Sequence, residues 1–248
     1  LFMLNIHMYK KNGWPWAGML NTKLKASNSL VDKMISYWNG TNWGYSFENY
    51  RRPTYQSSIY TSTRSRQLPV EAIQLQLAPS TPPDEALIEL THLAYNEVKS
   101  LFSEKMYVYM AELSCLVPQR RVPWHHDGMA MCFYGTRILL PLLNLENIVF
   151  SFSSWNDKTP TDSAKFAAMN FMDTDIVSFS IEPGYYYIYN HRVPHQTISF
   201  SEKPRAMFAI DLIPEKHRAE ASVFIGSKPG FKEISQEEKT KIIPKILL

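Results

Sequence analysis

Four of the seven histidines in this 248-residue chain fall in two short stretches, Trp124-His125-His126-Asp127-Gly128 and Asn190-His191-Arg192-Val193-Pro194-His195. Imidazole and carboxylate groups bind divalent transition metals, and two histidines with one carboxylate leave open positions on the metal. If residues 124–128 are extended, side chains alternate between faces, so His125 and Asp127 point one way and His126 the other. The His-x-Asp triplet is weak by itself: seven His and eight Asp in a chain of this length give roughly 0.2 such triplets by chance. A second histidine has to arrive from another strand, and His191 and His195, both just after the tyrosine-rich run 185–189, are the candidates.

Two arginines strengthen the metal reading. Arg137 lies in Thr136-Arg137-Ile138-Leu139-Leu140-Pro141-Leu142, and Arg205 opens a later strand-like run beyond His195. An arginine in an apolar strand is costly to bury unless it meets an anion, and a carboxylate accepts both prongs of the guanidinium. Two such arginines suit a dicarboxylate. Trp124 and Arg121 adjoin the triplet and are candidates to face a substrate; a solvent-exposed strand edge is the competing reading for Arg120 and Arg121.

Short strand-like runs carry these residues: 106–110, 136–143, 176–180, 185–189 and 205–213, punctuated by turn residues such as Pro183-Gly184 and Glu202-Lys203-Pro204. Regular punctuation of this kind argues for a mainly β core, and a jelly roll is the closed form that suits an internal site. Ahead of it, Thr81-Pro82-Pro83-Asp84 predicts a helix start, with Leu87, Leu90, Ala94, Val98 and Leu101 at helical spacing to about Phe102. The residues after Pro214 turn polar and read as a helical tail, with Ser235 and Glu238 in a capping-box pattern. The expected layout is one domain over 1–248: an aromatic-rich layer with buttressing helices (1–105), a catalytic jelly roll (106–213) and the tail (214–248). The stretch Tyr37 to Tyr60 interleaves Trp38, Trp43, Tyr45, Phe47, Tyr50 and Tyr55 with Arg51 and Arg52. A layer packed over the core is the plain reading, a substrate lid or a stacking surface for bases the alternatives.

Composition bounds the partners. The hydrophobic fraction is 45%, the charged fraction 20% and the net charge +3, with Lys and Arg spread along the chain. No apolar run approaches the length of a membrane span, and no targeting signal is read at the start. Cys115 and Cys132 form no Cys-x-x-Cys pair and read as buried thiols, which points to a reducing compartment and a cytoplasmic location.

The order His125-x-Asp127, then Arg137 to Leu142, then Gly184 to His195, then Arg205 to Asp211, resembles the 2-oxoglutarate/Fe(II)-dependent dioxygenases. Within them it is most similar to the aspartyl/asparaginyl β-hydroxylase family, which includes bacterial proline hydroxylases. The resemblance covers about residues 106–213. It implies a double-stranded β-helix (a cupin-like jelly roll) with His125, Asp127 and His195 as Fe(II) ligands, and His195 is preferred to His191 by its offset from Arg205. It also implies Arg205 on the distal carboxylate of 2-oxoglutarate and Arg137 near the chelating one. The implied activity is hydroxylation of an unactivated C–H in an amino acid, peptide side chain or other small substrate, consuming dioxygen and releasing succinate and CO2. A carboxylate at position 127 favours hydroxylation, since a small residue there would leave room for a halide. Departures are Leu139, where the family often has histidine, and an apparent inserted loop over 151–169. Two other classes compete: a non-catalytic cupin-like module that binds a metal and ligand, and a nucleic-acid-directed oxygenase using the aromatic layer, with nucleic acid the less favoured partner.

Overall fold

The structure, a computed structural model, describes residues 19–41, 60–65, 85–116, 118–119, 121–125, 135–153, 176–189 and 195–218. In chain order the elements are β1 (Met19–Lys25), α1 (Asn28–Gly40), β2 (Tyr60–Ser65), α2 (Glu85–Val98), β3 (Met106–Leu116), β4 (Arg121–His125), β5 (Thr136–Leu143), β6 (Ile148–Ser153), β7 (Ile176–Phe179), β8 (Tyr185–Tyr189), β9 (His195–Ser199) and β10 (Arg205–Pro214). They build two antiparallel sheets, a six-stranded one in the order β1-β8-β5-β10-β3-β2 and a four-stranded one in the order β4-β9-β6-β7. From β3 to β10 the chain crosses between the sheets so that eight strands make a jelly roll, with β1 and β2 added at the two edges of the larger sheet.

The larger sheet is covered on both faces, and its residues alternate between two cores as the pleat requires. Ile138, Leu140, Tyr186, Ile188, Ala206, Phe208 and Ile210 pack with Leu30, Met34, Trp38, Leu87, Leu90 and Val98 of the helices. Leu139, Tyr187, Met207 and Ala209 point the other way and meet Ile148, Phe150 and Phe152 of the smaller sheet. All ten residues of β10 are therefore buried, which is why its sequence is apolar apart from Arg205 and Asp211.

The helices form for local reasons. Ser27 caps α1 by accepting from the Leu30 N–H (3.4 Å), and Leu30, Met34 and Trp38 recur every four residues on the buried face. The sequence reading delimits no helix here, although both signals are present. Trp38 donates its indole N–H to the Ser114 carbonyl (3.2 Å), so this aromatic residue is core. The helix read from Leu87 to Leu101 is α2, followed by a 3-10 turn at Lys99–Leu101; its expected start at 81–84 lies outside the described residues. Glu97 of α2 accepts from the Tyr186 hydroxyl (2.7 Å) and from the Ser27 N–H (3.3 Å), tying both helices to β8. Burial and then the Glu97 carboxylate push the Tyr186 phenol far above its ordinary range, so it stays a donor.

Some boundaries differ from expectation. Ser151–Ser153, read as the start of an inserted loop, pair with β7 as the end of β6, and the rest of that stretch lies outside the described residues. The turn at Pro183-Gly184 is present: Gly184 sits at φ 79°, where a side chain would be strained, donates its N–H to the Pro141 carbonyl (2.9 Å) and accepts from Ala26 (2.8 Å). Beyond Pro214 a 3-10 turn covers Glu215–His217, and the capping-box region of the expected tail lies outside the described residues. Among the described residues no helix is long and apolar enough to cross a membrane.

Gly135, at the entry to β5, lies against β10 so closely that a Cβ would collide with the Leu212 carbonyl and the Ile213 side chain. Gly135→Ala is expected to cost about 2–4 kcal/mol in denaturant unfolding as β10 is pushed aside. Gly40→Ala, with nothing within 4 Å of the new methyl, should be neutral or slightly stabilising. Equal behaviour of the two variants would refute the close packing of β5 on β10.

Candidate metal centre

The pairing of β4 with β9 assembles the site. Arg121 pairs with Ile198 and Val122 with Thr197, but His125 pairs with His195, so one extra residue has entered β4 between 122 and 125. That is a β-bulge. Pro123, which has no N–H to give to a ladder, falls within it. Without the bulge, Trp124 would stand opposite His195. With it, positions 125 and 195 face each other on one side of the sheet, and paired positions in an antiparallel ladder are near neighbours.

That side is the interior of the jelly roll. His195, Thr197 and Ser199 of β9 are buried and alternate with the partly exposed Gln196 and Ile198. His195 is 3% exposed and lies against Phe152, its ladder partner on β6, with ring centroids 6.0 Å apart and planes tilted by 39°. Phe179 closes on the other side of Phe152 edge-on, at 5.4 Å. The histidine thus emerges from an aromatic wall that keeps water from its base.

Arg205 begins β10 at 3% exposure. Its guanidinium carbon lies 5.5 Å from the centroid of Phe150, the residue paired with Thr197. A cation over an aromatic face in a desolvated setting is held by the ring's quadrupole. His195 and Thr197 stand one ladder repeat apart, about 7 Å along the strand. A buried cation therefore lies over the residue of β6 next to Phe152, the ladder partner of His195, on the same face.

Arg137 meets a carboxylate from the protein itself. Its Nε donates to Asp211 Oδ1 (2.7 Å) and its Nη2 to Asp211 Oδ2 (3.0 Å), a bidentate pair between neighbouring positions of β5 and β10. Asp211 is nearly fully buried and Arg137 largely so. The sequence reading placed Arg137 near a dicarboxylate and gave Asp211 no role.

The remaining candidates divide. Arg121 is exposed and pairs with Ile198 on the outer face, so the structure does not bring it to the interior. Trp124 is half-buried within the bulge. Asp127, His126 and His191 lie outside the described residues, as does the side chain of His125. Among the described residues no three His, Cys, Asp or Glu side chains gather as a metal cluster. Cys115 is buried on the helix-facing core, and Cys132 is outside the described residues. Sequence reasoning missed Phe150, Phe152, Thr197 and Ser199; the alternation His195-x-Thr197-x-Ser199 was the available signal.

Solved structures with the same fold put these positions in context. No family model matches the chain, and no curated protein matches it. The non-heme alpha-ketoglutarate-dependent carbocyclase SnoK from nogalamycin biosynthesis aligns over 94% of this chain and 95% of its own, at 14% identity and a TM-score of 0.53. The epimerase SnoN, solved with Fe3+, alpha-ketoglutarate and nogalamycin RO, aligns over 93% and 91% at 11% identity and a TM-score of 0.53. HygX from Streptomyces hygroscopicus, solved with nickel, 2-oxoglutarate and hygromycin B, aligns over 80% and 84% at 11% identity and a TM-score of 0.53. At these identities the likeness shows a shared fold, the jelly roll.

The Arg137–Asp211 pair is testable by a double-mutant cycle. Asp211→Asn and Arg137→Met should each cost about 2–4 kcal/mol, because each strands a largely buried partner. The double variant should lose well under the sum, with a coupling of about 1–3 kcal/mol. Strict additivity in urea unfolding would show that the pair contributes nothing.

Proposed function

We propose that this chain is a 2-oxoglutarate- and Fe(II)-dependent oxygenase acting on a small molecule or a peptide side chain. One observation carries the reading: the β4–β9 register sets position 125 opposite His195, and the buried Arg205 lies over Phe150, two residues along β6 from Phe152, the ladder partner of His195. The donor set fits the metal, since two imidazoles and the Asp127 carboxylate make a facial triad of the type that holds non-heme Fe(II). The interior suits a carboxylate cosubstrate, since Arg205 brings a buried guanidinium to it.

In this reading His125, Asp127 and His195 hold the iron. When bound, the metal and 2-oxoglutarate supply oxidative power from dioxygen, with release of succinate and CO2. The residues of the chain do the positioning. Phe152 fixes the His195 ring and excludes water. Arg205 binds the distal carboxylate with a charge-assisted fork that Phe150 keeps in place. Arg137 is assigned to Asp211 and to the joint between β5 and β10, in place of the contact with 2-oxoglutarate that the family resemblance implies. Trp124, beside His125, is assigned to the substrate side.

The finer placement among the aspartyl/asparaginyl β-hydroxylases rests on the order of the motifs in the sequence. Hydroxylation is the proposed outcome because Asp127 fills the third ligand position. Two neighbours on this fold are named a carbocyclase and an epimerase, so product analysis must score ring closure and inversion alongside added oxygen.

Anaerobic addition of Fe(II) and then 2-oxoglutarate is expected to raise a visible charge-transfer band. Admission of oxygen should then yield succinate, faster in the presence of substrate. His195→Ala should lose the band and at least 100-fold of the succinate rate. Wild type and His195→Ala indistinguishable, with neither band nor succinate, would sink the oxygenase reading.

A further inference from the structure

The wall that faces the candidate metal positions carries a buried carboxylate. Glu112 of β3 is 3% exposed. Its chain neighbours Ala111 and Leu113 belong to the helix-facing core, so the pleat turns Glu112 the other way, into the space between the sheets. Its ladder partner on β10 is Ala209, which lines the same space. Alanine there leaves room beside the carboxylate that a larger residue would fill.

Chain connectivity sets the level of this carboxylate. β3 ends at Leu116 and β4 starts at Arg121, so four residues carry the chain from the larger sheet across to the smaller one. Glu112 lies four residues back from the end of β3, and His125 four residues on from the start of β4. At about 3.3 Å per residue each stands roughly 13 Å from that connection, less the bulge in β4. Stacked sheets lie about 10 Å apart, so Glu112 looks across the interior at position 125. A substrate brought to a metal on His125 and His195 has to occupy that gap.

The charge there has a definite sign. Arg137 is neutralised by Asp211. Arg205 stands opposite Leu116, four residues along β10 from Ala209, which puts it about 13 Å from the level of Glu112. A divalent metal with the Asp127 carboxylate and a dianionic cosubstrate carries net negative charge, which adds to that of Glu112. In a dry interior such a field is weakly screened; it attracts a cation and repels an anion.

We propose that Glu112 selects a substrate bearing a protonated amine or guanidinium and holds that group opposite the metal. This rests on the oxygenase reading of the site and adds to it the chemical class of the substrate. The interior is then polarised along its length, with Arg205 offering a cation where β10 begins and Glu112 an anion at the level of the metal. A structural role is the competitor, because Arg64 of β2 stands opposite Glu112 in the β2–β3 ladder. Removing one partner of a buried ion pair destabilises the fold, whereas removing a charge that serves a ligand does not.

The test is calorimetric titration of the Zn(II)-loaded protein, without turnover, first with 2-oxoglutarate and then with matched pairs of probes: lysine and Nε-acetyl-lysine, arginine and citrulline, glucosamine and N-acetylglucosamine. Wild type should bind the charged member of at least one pair about tenfold or more tightly than the neutral one. Glu112→Gln should bring that pair within about twofold, Glu112→Asp should keep part of the preference, and 2-oxoglutarate should stay within about twofold in both. The Tm of Glu112→Gln without ligand should equal that of wild type or exceed it. No preference for a charged member in wild type, or a preference that survives Glu112→Gln, would overturn the assignment and leave the proposed function standing. So would a lowered Tm in Glu112→Gln that Arg64→Gln matches and the double variant does not deepen, which would make Glu112 half of a structural ion pair. Failure of 2-oxoglutarate to bind the loaded wild type would overturn the oxygenase reading and this assignment with it, and the first titration detects that failure before any amine is added.

Discussion

The ladder between β4 and β9 is the constraint on which the candidate site depends. A slip of one residue turns every side chain of a strand to the opposite face. The extra residue between Val122 and His125 makes such a slip locally and keeps the outer part of β4 in register with β9. The bulge thus exchanges Trp124 for His125 at the place opposite His195. Pro123 supports the exchange by withholding the N–H that a regular ladder would use. The pairing of positions 125 and 195 is a property of backbone register before it is a property of side chains.

A second constraint is that the larger sheet has no wet face. Helices cover one side and the smaller sheet the other, so β5, β8 and β10 bury residues of both parities. In such a setting polar side chains are exceptions with causes. Asp211 is buried against Arg137, Glu97 gathers donors from β8 and α1, and Ser114 returns its hydroxyl to the Met207 carbonyl (3.2 Å). His195, Thr197 and Ser199 share the inner face of β9, and Arg205 and Glu112 are buried on the larger sheet.

Much of this was legible in the sequence. The β runs at 136–143, 185–189 and 205–213 appear as strands within a residue of those limits, because Pro183-Gly184 and the loop before Arg205 mark their ends chemically. Strand β9 was not delimited, since a five-residue run beginning with His and Gln carries little β signal until its pairing is known. The partner of Arg137 was hidden for a related reason. A cation in an apolar strand announces that an anion is near but not whether the anion is a ligand or a residue 74 positions away. The bulge was invisible too, because strict alternation assumes a regular strand, and Pro123 was the only hint against it.

The first strand also bears on how the molecule comes together. Thr22 of β1 gives its hydroxyl to the Tyr186 carbonyl (2.8 Å), across a separation of 164 residues. At a synthesis rate of about 5–20 residues per second, β1 waits on the order of 10–30 s for its neighbour to emerge. The sheet that will cover Leu30, Met34 and Trp38 of α1 is completed later still, when β10 arrives between β5 and β3. Contacts so distant along the chain carry a large loop-closure cost and form slowly. The newborn chain must therefore carry the apolar face of α1 and the unpaired strand β1 until β8 and then β10 emerge.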